Sequence, residues 1–311
     1  SMSAKRAFHS KPLQYFHKIV SALYCPGHHE RMLNKALEYQ PSILVPDMED
    51  SVPPQMKAEA RKMINSKLNE FGDRYRKARK THIFPRPNDL RTEWFHDDIN
   101  DVICKETMKN VDGFCIPKVN NKEDVQEIED AITKLEERLG AGRFLKVIVQ
   151  IETTEALNKM DEIFIAGKGR VIAGAFGADD FLTDFGIQRK HNIEELDFYR
   201  RTFALKCAAH KMVSIDTPYV KHKDPEGLKN ELEYIKGIGM NAKFAIHPLQ
   251  IDIIDQAFKP NEDQIIFAVE FVKVFEKAMA EGKAAIVYEN KMCDVPVYKR
   301  MVEVLKQVGL R

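Results

Sequence analysis

The chain is predicted to be an α/β protein folded as a TIM (β/α)8 barrel with a C-terminal helical extension. Three observations carry that expectation. Eight short apolar runs recur, each followed by a polar turn and a helix-forming segment. Eight alternations in roughly 250 residues are what such a barrel requires. An open doubly wound sheet is the runner-up, but it usually carries a Gly-rich dinucleotide loop, and the sequence has none.

The runs are Val20–Cys25, Ile43–Pro46, His82–Arg86, Gly113–Pro117, Val147–Ile151, Val171–Phe176, Met212–Asp216 and Phe244–Ile246. Charged segments such as Lys122–Leu139 and Asp197–His210 read as the helices between them. Beyond the eighth run, Asn261–Gly282 reads as one long helix and Val295–Val308 as a last one, with Ala284–Pro296 expected as a loop. The expected organisation is a basic arm at 1–19, a barrel at 20–258, and a C-terminal subunit-contact segment at 259–311.

With 311 residues and 44% hydrophobic content, the chain can bury a large core. Forty-eight Lys and Arg stand against 47 Asp and Glu, a balance that calls for neither nucleic acid nor a membrane surface. Arg76–Lys80 is the densest basic run, and without interleaved aromatics it reads as a solvated helix end. Five widely spaced cysteines with no Cys-x-x-Cys pair point to reduced thiols and away from zinc. Residues 1–29 hold Lys5, Arg6, Lys11 and Lys18 but no acid, and Ser1-Met2 resembles a cloning scar. A partly removed organelle transit peptide and a short basic arm both fit that composition.

The chemistry is expected where the runs end. Glu152 and Asp180 each sit just past an apolar run, and acids at successive strand C-termini converge on one face, where they suit a hard divalent cation. Asp47, Glu49 and Asp50 crowd the end of the second run, which demands cations or hydrogen bonds; a helix N-cap is the alternative for Asp47 or Asp50. Arg86 offers a bidentate fork for a carboxylate, in competition with a plain ion pair to those acids. Lys118 lines the same mouth, with a Schiff-base lysine as the less favoured reading. Pro26-Gly27 turns the chain into a helix N-terminus suited to a phosphate or thioester oxygen. His28 and His29 read as surface residues, His247 as either a cap or a ligand contact, and Asp294 as an N-cap.

Taken together, Leu23-Tyr24-Cys25-Pro26-Gly27, Asp47-Met48-Glu49-Asp50-Ser51-Val52, Arg86-Pro87-Asn88, Pro117-Lys118-Val119, Ile151-Glu152-Thr153, Phe176-Gly177-Ala178-Asp179-Asp180-Phe181, Ile246-His247-Pro248-Leu249-Gln250-Ile251 and Met292-Cys293-Asp294-Val295-Pro296 resemble the citrate lyase beta subunit-like family of the HpcH/HpaI aldolase superfamily. Order and spacing match that family from about residue 20 to 297, and within it the chain resembles the mitochondrial citrate lyase beta-like (citramalyl-CoA lyase) enzymes of eukaryotes, which are similar in length and lack the partner subunits of the bacterial citrate lyase complex.

The resemblance implies a homotrimer, Mg2+, and making or breaking a carbon–carbon bond between an acyl-CoA and a small 2-oxo acid. It places Glu152 and Asp180 as metal ligands and Arg86 on the oxo-acid carboxylate. Glu49 orders water beside Asp47 and Asp50, while Lys57 and Pro26-Gly27 fall in the coenzyme A region, with Lys118 and His247 lining the substrate. Asp294 becomes the proton-transfer acid delivered into a neighbouring subunit's site. The expected reaction is cleavage of citramalyl-CoA or malyl-CoA to acetyl-CoA and pyruvate or glyoxylate, with malate synthase activity open. A non-catalytic coenzyme A-binding paralogue and a metal-dependent aldolase on free hydroxy-oxo acids are the alternatives. The sequence departs from the family pattern at Val20, usually Arg, at Asp179, usually Glu, and at Tyr219-Val220-Lys221, more often Tyr-x-Asp.

Overall fold

A computed structural model of the chain describes residues 19–75, 81–140, 144–190 and 192–311. The basic run Arg76–Lys80, and the basic arm apart from Ile19, lie outside the described residues. The chain divides into two compact units between Asp255 and Gln256.

The first unit holds eight parallel strands: β1 (Ser21–Pro26), β2 (Ile43–Asp47), β3 (His82–Ile83), β4 (Gly113–Ile116), β5 (Lys146–Ile151), β6 (Val171–Phe176), β7 (Val213–Asp216) and β8 (Ala242–Ala245). They pair in the order β3-β2-β1-β8-β7-β6-β5-β4, which is a nearly closed barrel. Along the chain they are separated by α1 (Glu30–Glu38), α2 (Lys57–Tyr75), α3 (Phe95–Asp101), α4 (Lys122–Leu139), α5 (Thr154–Ala166), α6 (Ala178–Phe185), α7 (Asp197–Ala209) and α8 (Pro225–Gly237), and α9 (Leu249–Phe258) follows β8. Helices on the outside and side chains on the inside bury both faces of every strand, so β2, β4, β6 and β8 are buried throughout.

The seam between β3 and β4 shows why the barrel closes only nearly. Pro85 and Pro87 have no N–H to donate, so the regular ladder of β3 stops at Ile83. Backbone pairing nevertheless continues: Phe84 N donates to Leu44 O at 3.0 Å and Arg86 N to Pro46 O at 2.8 Å. Across the seam, Asp112 N donates to Ile83 O and Cys115 N to Pro85 O, each at 3.0 Å.

The barrel interior is packed with Ile43, Val45, Phe84, Ile148, Ala175 and Phe244. Because strand side chains alternate between faces, the interior line through Ile148 continues to Gln150 and then Glu152. The eighth strand runs Ala242–Ala245, earlier than its expected Phe244–Ile246, and Ile246 is exposed. Lys243 hides that strand from an apolar reading. Its buried ammonium is held by Asp216 at 2.7 Å, Thr217 O at 2.7 Å and Glu231 at 2.6 Å, beside an Arg200–Asp216 pair. Two ion partners and a carbonyl offset the cost of taking a lysine out of water.

The second unit contains α10 (Glu262–Ala280), a hairpin of β9 (Ala285–Tyr288) and β10 (Lys291–Asp294), and α11 (Val295–Gln307). The expected loop at Ala284–Pro296 is therefore corrected to a hairpin. Its connecting residues Glu289 and Asn290 take φ of 49° and 60°, the left-handed pair that a tight two-residue turn needs. Phe271, Phe275 and Cys293 form its core with Ile286 and Tyr288, which gives the hairpin an apolar face to bury. Among the described residues no helix is long and apolar enough to cross a membrane.

Candidate active site

Strand ends at one mouth of the barrel bring together Asp47 at the end of β2, Glu49 in the loop after it, Arg86 after β3, Lys118 after β4, Glu152 after β5 and Asp180 in the first turn of α6. Parallel strands all end at the same side, which is why residues spread over more than a hundred positions meet there.

Arg86 and Asp47 form the base of the site. The guanidinium Nε donates to Asp47 Oδ1 at 2.6 Å and Nη2 to Oδ2 at 2.8 Å, a bidentate pair buried on both sides. Nη1 lies 2.8 Å from Glu49 Oε2, and the guanidinium sits 4.6 Å over the Tyr24 ring. Burial alone would raise the Asp47 pKa, but the Arg86 charge, with hydrogen bonds from Arg86, Ser51 and the Glu49 amide, holds it below the usual carboxylate range. This arrangement corrects the helix N-cap reading of Asp47 and Asp50. The turn at Pro54–Met56 before α2 is preceded by Pro53 and has no side-chain cap.

Lys57 lies beneath the acid loop, not at its rim. Its ammonium donates to Met48 O at 2.8 Å and Glu49 O at 2.7 Å, which orders the loop that carries Glu49. Gly27 is a close-approach glycine. Its amide donates to Asp47 O at 2.8 Å, and a Cβ there would lie 2.5 Å from that oxygen. The Pro26-Gly27 turn is thereby fastened to the end of β2.

Glu152 is buried beside two other acids. It is 3% exposed, with Oε2 accepting from Lys118 N at 2.7 Å and Oε1 from Gln150 Nε2 at 3.2 Å. Burial, and then the charges of Glu49 and Asp180, push its pKa to about 8 against an opposing pull from Arg86. Burial also raises Glu49 and Asp180, in each case against the nearby positive charges of Arg86 and Lys118. Lys118 answers part of this excess: its ammonium lies 2.6 Å from Glu49 Oε1 and 3.7 Å from Asp50 Oδ1. Among the described residues no side chain hydrogen-bonds Asp180.

Three acids pushed toward their neutral forms beside two fixed cations lack positive charge. Glu152 and Asp180 supply hard oxygen donors, the kind a magnesium ion takes one or two at a time while keeping water or substrate in its other positions. The residues fit that group. Among the described residues no cluster of three or more His, Cys, Asp or Glu is arranged as a full metal cage, so a cation here would rely on those outer ligands.

Sequence reasoning passed over Gln150 and Tyr24. Gln150 Nε2 also donates to Tyr24 OH at 2.8 Å, and Tyr24 stacks on Phe244 at 4.3 Å, so a polar chain links Arg86's aromatic floor to Glu152. The available signal was spacing, since Gln150 stands two residues before Glu152 on the same strand face. His247 is half-buried, accepts from Leu249 N at 3.2 Å and stacks on His222 at 5.3 Å. Burial and the neighbouring His222 lower its pKa. Asp179 is exposed and pairs with Arg189 at 2.7 Å. In the second unit, Asp294 occupies the position before α11 and is exposed, but its side chain makes no capping bond.

Residues 20–248 match the family model described as HpcH/HpaI aldolase/citrate lyase. The chain is 26% identical to an L-malyl-CoA/beta-methylmalyl-CoA lyase of Cereibacter sphaeroides, over 93% of this chain and 94% of that protein. It is 28% identical to the citrate lyase subunit beta of Haemophilus influenzae, over 94% of this chain and 98% of that one. Among solved structures, CitE from Mycobacterium tuberculosis in complex with magnesium, acetoacetate and coenzyme A has the same fold. The TM-score is 0.71 at 21% identity, covering 93% of this chain and 98% of that chain.

Proposed function

The chain belongs to the HpcH/HpaI aldolase/citrate lyase family and is a lyase by that membership, and from this premise we propose that it cleaves a 3-hydroxyacyl-CoA to acetyl-CoA and a 2-oxo acid. Citramalyl-CoA, giving pyruvate, is the first substrate in this reading, and malyl-CoA, giving glyoxylate, the second. The observation that carries it is the set of charge-starved carboxylates Glu152, Asp180 and Glu49 packed beside Arg86 and Lys118. Mg2+ is proposed as the missing charge, held by Glu152 and Asp180.

When bound, the ion would supply Lewis-acid pull on the substrate's oxygen as the C2–C3 bond breaks. Arg86, locked in orientation by Asp47, presents its remaining N–H groups to the carboxylate that becomes part of the oxo acid. Lys118 and Arg86 keep Glu49 in place, so that its carboxylate can order water at the site. The hydroxyl proton passes to water ordered beside Glu49 as the carbonyl forms, the C2–C3 electron pair leaves with acetyl-CoA as its enolate, and that enolate takes a proton at carbon. Asp294 is proposed as that acid, contributed by a neighbouring subunit of a homotrimer. In condensation the same carboxylate would remove the methyl proton, and thioester hydrolysis afterwards would make the site a malate synthase. A mitochondrial location belongs to the same proposal and is supported by the acid-free, basic residues 1–29.

The test is incubation with Mg2+ and, separately, citramalyl-CoA, malyl-CoA, and acetyl-CoA plus glyoxylate, with Asp294→Ala as control. Carbon–carbon cleavage to acetyl-CoA that is lost in the control supports the reading. Binding of coenzyme A with no turnover of any thioester would mark a non-catalytic paralogue. Cleavage of free hydroxy-oxo acids insensitive to coenzyme A would mark an aldolase.

A further inference from the structure

Lys118 has a backbone φ of 52°, in the left-handed region that residues with a Cβ seldom occupy. The chain on its C-terminal side is fixed from several directions. Arg91 Nη1 donates to Lys118 O at 3.1 Å, and Nη2 to Asp124 Oδ2 at 2.6 Å. The same Asp124 oxygen accepts from Asn120 N at 2.8 Å, while Thr153 Oγ1 donates to Asn120 Oδ1 at 2.6 Å. Rotation about the Lys118 N–Cα bond would therefore swing the amide against a segment that is held still.

That amide is the group donating to Glu152 Oε2 at 2.7 Å, and the ammonium of the same residue reaches Glu49 Oε1 at 2.6 Å. One left-handed residue thus serves two carboxylates, through its backbone to one and its side chain to the other. Strain kept where a site needs a donor aimed in one direction is a recognised use of unfavourable backbone. Groups that hydrogen-bond a ligating carboxylate typically change metal affinity when lost.

Resting on the cation reading of Glu152 given above, we propose that Lys118 is a positioning residue whose left-handed backbone, separately from its charge, aims Glu152 for cation binding. Lys118→Gly and Lys118→Val both delete the ammonium, but only glycine accepts the left-handed turn without cost. The pair therefore cancels the charge effect and isolates the backbone.

The experiment measures Mn2+ binding, as a probe for Mg2+, by electron paramagnetic resonance on the full chain. Lys118→Gly is expected to bind at least as tightly as the wild type, since a competing positive charge has gone. Lys118→Val is expected to bind about tenfold or more weakly than Lys118→Gly. Lys118→Asn, which tolerates the left-handed region, should restore most of the difference. If Lys118→Val does not fold, Lys118→Ala takes its place and should bind several-fold more weakly than Lys118→Gly. Equal affinities in the glycine variant and its folded partner would overturn the inference while leaving the cation site standing. A wild-type protein that takes up no Mn2+ would overturn the cation reading itself, and this inference with it.

Discussion

Arg86 grips Asp47 through two parallel hydrogen bonds, Nε to Oδ1 at 2.6 Å and Nη2 to Oδ2 at 2.8 Å, at the floor of the acid-rich mouth. Both side chains are buried, and each is the other's main compensation for leaving water. Removing one partner strands the other. Asp47→Ala is expected to lower unfolding free energy by about 3–5 kcal/mol, measured by urea denaturation. Arg86→Lys should recover little of the function, because an ammonium cannot make the two-pronged contact.

Gly177, at the start of α6, leaves room for Glu152. A Cβ there would lie 2.4 Å from Glu152 Cγ and 2.6 Å from Oε1. The obstructing atoms belong to a side chain that can shift, so Gly177→Ala should displace the carboxylate without unfolding the barrel. The expected outcome is a melting temperature within a few degrees of wild type, with divalent-cation affinity down about tenfold or more. Scanning calorimetry checks the melting temperature and titration calorimetry the affinity.

Glu152 carries a pH signature. Its folded pKa of about 8 lies above the ordinary 4.5, so between those values the native state holds a proton that the unfolded chain has released. Without a bound cation, stability should therefore fall as pH rises from about 4.5 to 8. Cation uptake in that window should expel close to one proton, and affinity should increase toward pH 8. Titrations in buffers of different ionisation enthalpy read the proton directly, and Glu152→Gln should abolish the release.

Much of this site could be read from sequence because strand ends in a parallel barrel converge whatever their separation along the chain. Glu152, Arg86 and Glu49 needed only an apolar run before them to be placed together. Hydrogen-bond assignment was less legible. Lys57, placed by the resemblance in the coenzyme A region, donates to the Met48 and Glu49 carbonyls, and Asp47, for which both a helix cap and an ion pair with Arg86 were open, is the partner of Arg86. Lys243 concealed the start of β8, since a buried lysine interrupts the apolar pattern and only its Asp216 and Glu231 partners explain it. The β9–β10 hairpin escaped notice because Glu289-Asn290 is not the usual Asn-Gly turn pair.

The proposed sharing of the site between chains makes a complementation prediction. Asp294→Ala and Glu152→Gln homo-oligomers should each be inactive, and equal mixtures refolded or coexpressed together should regain about a quarter of wild-type turnover, the share of random pairings with both groups intact. Rates of acetyl-CoA and oxo-acid release by the mixtures test this. A mixture as dead as its parents would place Asp294 outside any shared site.

The proposed reaction depends on a cation held between Glu152 and Asp180. A crystal soaked with Mg2+ and coenzyme A is the decisive measurement. The expected density is an ion with a carboxylate oxygen from each residue at about 2.0–2.1 Å and water or substrate filling the remaining octahedral positions. Density showing the two carboxylates turned apart with nothing between them would contradict it.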